Sequence, residues 1–385
     1  MTPRIATFGV FFVNGAIVGT WIAHIPWVSD RFDFSKSTLG LVLLTMAIGV
    51  LVALPIMGQA IVRLGSARAV RLTAIACAVV LPLPLLAPEP WLLPLALVVL
   101  GAGSGSMDVS MNAHGVAVER GLGRPVMSSL HAGWSFGGVA GAGLVAISGA
   151  AGLDPRVETL LATGLFLLLV AFCLRHLGEG SETVEAPPGF VRPSRSVMLL
   201  AALCLVIMVT EGAMGDWGGL YLTRDLGTTT SVAALAFTTF SGGMMAGRVF
   251  GDRLNRRLGA ATLMRWGTAL AAIALGGMLL AGSVPVAIAG FFLVGIGVAN
   301  GVPIVFSAAG HAPGSESAPN IAAVSSMGSI GFLAGPPFIG FLADATSLPL
   351  ALGSLCIALA GVVLAARAVG AGEVGPAMAE PAPVR

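Results

Sequence analysis

The sequence predicts an all-α membrane protein in which twelve transmembrane helices form two pseudo-symmetric six-helix bundles. Three observations lead to this fold class: the composition, a series of long apolar runs and an internal repeat. Of the 385 residues, 56% are hydrophobic and 10% are charged, whereas about a quarter of the residues of a soluble domain are charged. We therefore expect the chain to lie in a lipid bilayer. Its net charge of +2 gives no indication of nucleic-acid binding.

A helix needs about 20 apolar residues to cross a bilayer, and the chain contains twelve such runs, which we number spans 1 to 12. They lie at 5–28, 38–62, 69–87, 91–118, 127–151, 157–177, 197–222, 231–252, 260–282, 285–310, 320–343 and 349–369. The long loop after span 6 is rich in Glu, Pro and Arg, which predicts a flexible connector. Four regions follow: an N-terminal bundle at 1–177, the connector at 178–196, a C-terminal bundle at 197–370 and a disordered tail at 371–385.

Basic residues predict the orientation, because loops rich in Lys and Arg stay on the cytoplasmic side of a membrane. With a cytoplasmic N-terminus, the inner loops and tails hold fifteen basic residues. The outer loops hold only Arg31, Lys36, Arg156 and Arg224, and Arg248 lies inside span 8. Both termini are therefore predicted to be cytoplasmic, with the connector on the same side and the protein in the inner (plasma) membrane.

An internal repeat divides the chain into two halves. The sequence 63–65, Arg-Leu-Gly, recurs at 257–259, which is 194 positions later and about half the chain length. Further matches at this offset are Gly101 with Gly295, Gly103 with Gly297, Ser135 with Ser329 and Gly137 with Gly331. Two six-span halves related by a parallel repeat are typical of transporters that rock around a site at the bilayer midplane.

Span 4 carries the polar residues around which the functional prediction is built. Asp108 and Asn112 are four residues apart and share a helix face. They follow three glycines that let a neighbouring helix approach: Gly101, Gly103 and Gly105. A carboxyl at bilayer depth is costly unless it faces a cavity or a partner. We predict that Asp108 is the main proton-coupling group and that Asn112 binds substrate; direct substrate binding and a structural hydrogen bond remain alternatives for Asp108.

Span 7 is the second polar helix. Glu211 and Asp216 are candidates for a further proton-coupling group, but they are five residues apart and do not share a face well. Asp216 lies farther from the cytoplasmic end, and a position at the outer rim of the membrane is an equal alternative. Trp217 follows directly and is a candidate substrate contact.

The remaining substrate candidates are single polar or aromatic residues within spans. His131 and Trp134 share a face of span 5, where His131 could relay a proton and Trp134 could stack on a sugar or simply pack. His24 lies near the outer end of span 1, where an interfacial role competes with substrate binding. Asn14 and Asn300 are isolated mid-span amides that fit a cavity wall.

Three charged residues are predicted to act at a gate. Glu119 lies at the cytoplasmic end of span 4, and Arg248 and Asp252 lie one helical turn apart on span 8, where an ion pair would form a latch against the other half. The sequence contains no phosphate-binding loop, nucleotide fold, metal-ligand pair or nucleophile–base pair. We therefore predict no cofactor, no metal and no enzymatic activity.

These features resemble the major facilitator superfamily over essentially the whole chain. The loop signature of that superfamily is Gly-x-x-x-Asp-Arg-x-Gly-Arg-Arg. Between spans 2 and 3 it is present in degraded form as Gly58, Arg63, Gly65 and Arg68, with Val62 at the Asp position. The second copy retains Gly251-Asp252-Arg253 and Arg256-Arg257-Leu258-Gly259.

Within the superfamily, the chain looks most like the fucose-permease branch. Its Glu-x-x-x-Asn pair corresponds to Asp108 and Asn112, and its Gln-x-x-Asn-Ser-Phe-Gly stretch corresponds to 131–137, with Trp134 at the Asn position. The carboxylate of that branch in span 1 falls on Ile22, whose mate in the repeat is Asp216. Stretches such as Met-Asp-Val-Ser-Met-Asn-Ala-His are similar to YbjJ-type inner-membrane proteins.

The resemblance implies a monomeric, proton-coupled symporter that moves a small polar, sugar-like solute across the bilayer by alternating access. The predicted partners are thus a small-molecule substrate, protons and lipid. Two alternatives remain open. An exporter of amphipathic or drug-like compounds would usually carry a Gly-Pro pair in span 5, where Gly137 is followed by Gly138. A non-transporting membrane sensor with the same fold is favoured only by Val62 in the loop signature.

Overall fold

The computed structural model describes residues 2–123, 126–178, 194–310 and 317–370. The predictions of a flexible connector and of a disordered tail therefore concern residues that lie almost entirely outside the described ranges. Within those ranges the chain is helical, and each of the twelve predicted spans corresponds to a long helix or to a pair of consecutive helical segments. The fold class predicted from the sequence is confirmed.

The limits of the helices differ by a few residues from those of the predicted apolar runs. Spans 1 to 6 are Pro3–Arg31, Lys36–Leu64, Ser66–Val80 with Leu83–Leu86, Leu93–Leu122, Met127–Ala150 and Pro155–Leu174. Spans 7 to 12 are Arg195–Leu220 with Tyr221–Asp225, Thr230–Leu258, Ala260–Ala281, Val284–Val298 with Gly301–Gly310, Ser317–Ala345 and Leu348–Ala365. Pro336 and Pro337 lie inside the continuous helix of span 11.

Eleven of the twelve spans in the described ranges are apolar enough to cross a membrane by length and composition. The exception is span 8, which has 29 residues but carries polar side chains along its length. A helix of this length with one polar side is expected to keep that side away from lipid, against protein or a water-filled passage. Span 8 therefore belongs at the centre of the molecule.

The repeated Arg-Leu-Gly sequence ends two equivalent helices. Gly65 follows span 2 with φ of 78°, and Gly259 follows span 8 with φ of 79°. Glycine adopts this left-handed backbone conformation without the steric penalty that a Cβ would bring. The next helix then begins directly after each glycine, so the repeat is explained by one tight helix–helix connection used twice.

The two bundles have the same internal arrangement. In the N-terminal bundle, span 1 packs on span 5, span 2 on span 4, and span 3 on spans 4 and 6. In the C-terminal bundle, the equivalent packing is span 7 on span 11, span 8 on span 10, and span 9 on spans 10 and 12. The helix neighbours thus follow the sequence offset of 194, as expected for a parallel repeat.

The glycines of span 4 permit the close packing that the sequence predicted. A Cβ on Gly101 would overlap the Met46 carbonyl of span 2, and one on Gly105 would lie 3.0 Å from the Cα of Val50. A Cβ on Gly103 would lie 3.4 Å from the Cα of Cys77 in span 3. Span 4 therefore contacts two neighbours at backbone distance, which fixes the direction of its polar face.

The ends of the helices define two opposite faces of the molecule. The terminal face holds the start of span 1, near Pro3, and the end of span 12, near Gly370. The far face lies at the opposite ends of the helices, near Arg31 and Asp225. The bundles meet along span 2 with span 11 and along span 5 with span 8. We call these contacts the 2–11 seam and the 5–8 seam.

Candidate functional site

The Asp108–Asn112 pair lies at the middle of span 4. The Asn112 amide donates hydrogen bonds to the Asp108 backbone carbonyl at 2.9 Å and to its carboxyl Oδ1 at 3.2 Å. The Asp108 side chain is exposed and Asn112 is half-buried. The carbonyl of Ser104, one turn earlier on the same face, contacts span 1. This face is therefore directed toward the protein interior, and the exposure of the Asp108 carboxyl leads us to infer an open passage there.

A buried hydrogen-bond chain crosses three spans beside this pair. The indole N–H of Trp134 in span 5 donates to Asn14 Oδ1 in span 1 at 2.9 Å. The Asn14 amide in turn donates to the Ser104 carbonyl of span 4 at 3.4 Å. Asn14 is 1% exposed, whereas the ring of Trp134 is half-buried. Both halves of the Asn14 amide are thus used to join spans, while part of the Trp134 ring stays accessible.

The acidic residues of span 7 are poorly satisfied. Glu211 is half-buried, and its Oε1 atom is buried without a hydrogen-bond partner within the described part of the chain. Asp216 is also half-buried and makes no hydrogen bond or ion pair with any residue that the structure describes. Gly215, between them, faces Ile22 of span 1 and Phe237 of span 8. Span 7 therefore presents two carboxyl groups at bilayer depth near the junction of the bundles.

Arg248 of span 8 contacts the other bundle. Its guanidinium donates to Ser135 Oγ of span 5 at 3.1 Å and to the Ala299 carbonyl at 3.4 Å. It also lies within electrostatic range of the Glu211 carboxyl and the His131 ring. His131 is exposed, and its ring meets the edge of Phe11 at 5.3 Å between centroids. Side chains of spans 5, 7 and 8 therefore converge on one region between the bundles.

The structure describes a contact of Arg248 that the predicted latch with Asp252 did not include. The side chain of Asp252 is not among those that the structure describes, so the ion pair between Arg248 and Asp252 stays a prediction. The contact that is described runs from Arg248 to Ser135, and it joins the two bundles at the depth where the passage lies. A gating role for Arg248 remains a prediction.

His24 is buried in a contact with span 6, and its assignment as a substrate contact stays a prediction. Its Nε2 atom lies 2.7 Å from Glu158 Oε2, and both side chains are 3% exposed. Thr159 Oγ1 lies 3.3 Å from the same nitrogen. The pair joins the far-face ends of spans 1 and 6. Glu158 lies in the first turn of span 6, where the helix N-terminus stabilises a carboxylate.

Three further predicted residues serve packing or capping. Trp217 is 0% exposed, because its ring packs against span 11 near Gly340 and has no surface for a substrate. The Asn300 amide, at the interruption of span 10, donates to the Gly247 carbonyl of span 8 at 3.0 Å. Glu119 Oε2 accepts from the backbone N–H of Val126 at 2.6 Å and so caps the start of span 5.

Sequence reasoning missed the charged contacts at the far face. Arg224 donates to Asp30 Oδ1 at 3.3 Å, and Asp344 accepts from the backbone N–H groups of Lys36 at 3.1 Å and Ser37 at 2.8 Å. One signal was present: Asp30 and Arg224 have opposite charges and are separated by the repeat offset of 194. Nothing in the sequence indicated a partner for Asp344.

The comparisons with known proteins agree with this architecture. A family model of the Major Facilitator Superfamily matches residues 199–383. An uncharacterised MFS-type transporter of Yersinia pestis is 34% identical over 372 residues, which cover 96% of this chain and 96% of the relative. The chain belongs to the major facilitator superfamily. It is therefore a multi-pass membrane transporter.

Solved structures of the superfamily share the fold. The crystal structure of the nucleoside transporter NupG superimposes with a TM-score of 0.72 at 11% identity, covering 96% of this chain and 100% of NupG. A bacterial homologue of the human lysosomal transporter Spinster, in an inward-facing and unoccupied conformation, also gives 0.72, at 16% identity and with 97% and 98% covered. Transporters of this superfamily bind small-molecule substrates within the membrane.

Proposed function

We propose that this transporter is a monomeric, proton-coupled importer of a small polar, sugar-like solute in the inner membrane, related in mechanism to the fucose-permease branch. The observation that carries the proposal is the Asp108–Asn112 pair, in which an exposed carboxyl at the centre of span 4 is joined to an amide on the same helix face. An ionisable residue at this depth is costly and is expected to serve a function.

The substrate would bind beside this pair. The Asn112 amide and the Asp108 carboxyl together offer donors and acceptors for neighbouring hydroxyl groups of a sugar. The indole N–H of Trp134 is already used by Asn14, so its accessible ring surface is left for stacking against an apolar sugar face. Because Asn14 holds spans 1, 4 and 5 together, it would fix the geometry of this wall without contacting the solute.

Proton coupling would use the carboxyl groups of the passage. Asp108 has Asn112 as its partner, and Asp216 has no ion-pair partner within the described residues. A bound proton removes the cost of a carboxylate at bilayer depth while the passage is closed, and exposure to water allows the proton to leave. Asp108 is the first candidate because it also contacts the residue that would hold the solute. Glu211 is the second candidate.

Alternating access would then be a rocking of the two bundles around this site. In the described conformation, both seams bring the bundles together at the far face, while Asp108 and His131 are exposed between them. If the terminal face is cytoplasmic, as the basic residues predict, this arrangement corresponds to a passage that opens to the cytoplasm. Release of solute and proton on that side is import.

The test is solute flux in proteoliposomes with and without an imposed pH gradient, using radiolabelled L-fucose and other neutral monosaccharides as probes. The wild type should accumulate a probe when the outside is acidic. Asp108→Asn mimics the protonated carboxyl, so it should lose gradient-driven accumulation and keep solute exchange across the membrane. Glu89→Gln, which changes an exposed carboxyl in a far-face loop, is the matched control and should behave as the wild type.

The other outcomes distinguish the alternatives. Accumulation by Asp108→Asn against a gradient would place the coupling site elsewhere, and Glu211→Gln would be examined next. Flux of amphipathic compounds in exchange for protons, without sugar flux, would indicate an exporter. Substrate binding without any flux would indicate a membrane sensor with the transporter fold.

A further inference from the structure

Arg248 is a charged side chain whose hydrogen bonds in the described structure go only to neutral atoms. Its two partners are the Ser135 hydroxyl and the Ala299 backbone carbonyl. No described carboxylate lies within salt-bridge distance of it. A guanidinium carries five N–H donors and is suited to a planar two-oxygen acceptor. Among the side chains that the structure describes, this half-buried arginine has no anionic partner at salt-bridge distance that would compensate its charge.

The described surroundings of Arg248 supply an unsatisfied acceptor but no carboxylate within salt-bridge distance. The Glu211 carboxyl of span 7 is within electrostatic range, and its Oε1 atom is buried without a hydrogen-bond partner in the described ranges. His131 of span 5 is also within electrostatic range of Arg248, and it is exposed. A guanidinium and a carboxyl, both with unused hydrogen-bonding capacity among the described residues, therefore lie within electrostatic range of each other where the bundles meet.

This pattern is complementary to a solute that carries both an anionic group and a hydrogen-bond donor. A neutral sugar would satisfy the Glu211 acceptor but would leave the charge of Arg248 without a counter-ion. A solute with a carboxylate and a neighbouring hydroxyl would satisfy both groups, because the carboxylate accepts two parallel N–H bonds from the guanidinium and the hydroxyl donates to Glu211.

We propose that Arg248 and Glu211 form a subsite for the acidic group of a carboxylate-bearing polar solute, such as a sugar acid. This inference rests on the proposed function and narrows its substrate class from sugars in general to hydroxy acids. The carboxylate would replace the Ser135 hydroxyl on the guanidinium. Because Ser135 belongs to span 5 and Arg248 to span 8, binding would exchange a bond between the bundles for a bond to the solute.

The direct test uses the unmodified full-length protein in detergent. Arginine residues are labelled with p-hydroxyphenylglyoxal, and the extent of labelling at each site is followed by mass spectrometry. D-glucuronate should slow the labelling of Arg248, whereas D-glucose at the same concentration and ionic strength should not. Arg265, which donates to the Val363 carbonyl within the C-terminal bundle, is the internal control and should be unaffected by either compound.

A second measurement uses the thermal stability of purified variants. Glucuronate should raise the melting temperature of the wild type and of Arg265→Gln. For Arg248→Gln, the concentration needed for the same shift should rise at least about tenfold, because a charge-assisted two-oxygen contact is lost. Arg248→Lys should recover only part of the effect, since an ammonium cannot make the parallel pair of bonds.

Two results would overturn the subsite: equal protection of Arg248 by glucose and glucuronate, or no protection by glucuronate. Proton-driven uptake of L-fucose that persists in Arg248→Gln would reject the subsite and leave the proposed function intact. A wild type that shows Arg248-dependent glucuronate binding but no proton-driven flux of either compound would reject the proposed function instead.

Discussion

At the far face, the 2–11 seam and the 5–8 seam join equivalent parts of the two repeats. In each, the start of one span meets the end of a span from the other bundle. Ser37 at the start of span 2 corresponds, at the offset of 194, to Ser231 at the start of span 8. Asp344 near the end of span 11 corresponds in the same way to Ala150 at the end of span 5.

The 2–11 seam is polar and closely packed. The Asp344 carboxylate accepts from the backbone N–H groups of Lys36 and Ser37, so an acid from the C-terminal bundle caps a helix of the N-terminal bundle. Such a carboxylate satisfies free N–H groups and also interacts favourably with the helix dipole. Nearby, a Cβ on Gly40 would lie 2.6 Å from the Pro336 carbonyl oxygen, so the two helices touch through their backbones.

The 5–8 seam has no acid at the equivalent position. Ala150 replaces the capping residue, and a Cβ on the adjacent Gly149 would lie 2.7 Å from the hydroxyl of Ser231, a side-chain atom that can rotate away. A small cavity lies behind this contact and is lined in part by His24 and Glu158. The contact is therefore softer, and it borders the buried pair of His24 and Glu158.

The comparison shows that the repeat sets helix positions but not the chemistry between them. The contact between Asp30 and Arg224 illustrates this limit, because the two residues are mates in the repeat and also touch each other. A rotation that exchanges the bundles brings mates into contact only near its axis, so this pair marks the pseudo-two-fold axis at the far face. Opposite charges there stabilise closure in a way that identical residues could not.

The largest effect is expected from filling the tighter seam. Gly40→Ala forces a Cβ against the backbone of span 11, and overpacking of this kind costs about 1–3 kcal/mol. Gly40→Ala should increase the distance between the two bundles at the far face. Gly149→Ala should change that distance little, because the Ser231 side chain can move. The measurement is the distance distribution between spin labels at positions 89 and 281, two exposed far-face sites. A larger opening in Gly149→Ala than in Gly40→Ala would reverse the assignment of the tight seam.

A smaller effect is expected from moving the capping acid between seams. Asp344→Ala should weaken far-face closure by about 1 kcal/mol, roughly fivefold in the closed-to-open ratio, which is typical of a lost helix cap. Ala150→Asp should add a cap to the start of span 8 and favour closure by a similar amount. Far-face accessibility of an introduced cysteine would report both shifts. If Ala150→Asp opens the far face, the two seams do not align as the repeat predicts.

The smallest effect is expected at the axis. Arg224→Gln removes the ion pair with Asp30. The Arg224 side chain is 28% exposed and the Asp30 side chain is 50% exposed. Exposed ion pairs contribute about 0.2–1 kcal/mol and weaken as salt rises. The same spin-label distances should shift slightly at low salt and hardly at 1 M salt. The exchanged pair, Asp30→Arg with Arg224→Asp, should recover part of the closure; failure to do so would assign the effect to the bonds that Arg224 makes with Ser29 and Phe34.

The sequence by itself determined the number and limits of the spans, the parallel repeat and the polar face of span 4. These features depend on local properties: the length of an apolar run must match the bilayer, and residues four apart share a helix face. The same reasoning placed Asp108 beside Asn112 and explained the glycines before them. Even the missed charge pair at the axis was encoded in the repeat offset.

Only the tertiary structure decided which polar residues face the passage and which are consumed by packing. His24 meets Glu158 across 134 positions, and Asn14 is enclosed between spans 4 and 5. Trp217 is buried, although its neighbour Asp216 is partly accessible. Helical periodicity tells which residues share a face, but it does not tell which neighbour covers that face. That depends on how twelve helices with similar apolar surfaces pack, and the packing is set by contacts between residues far apart in the chain.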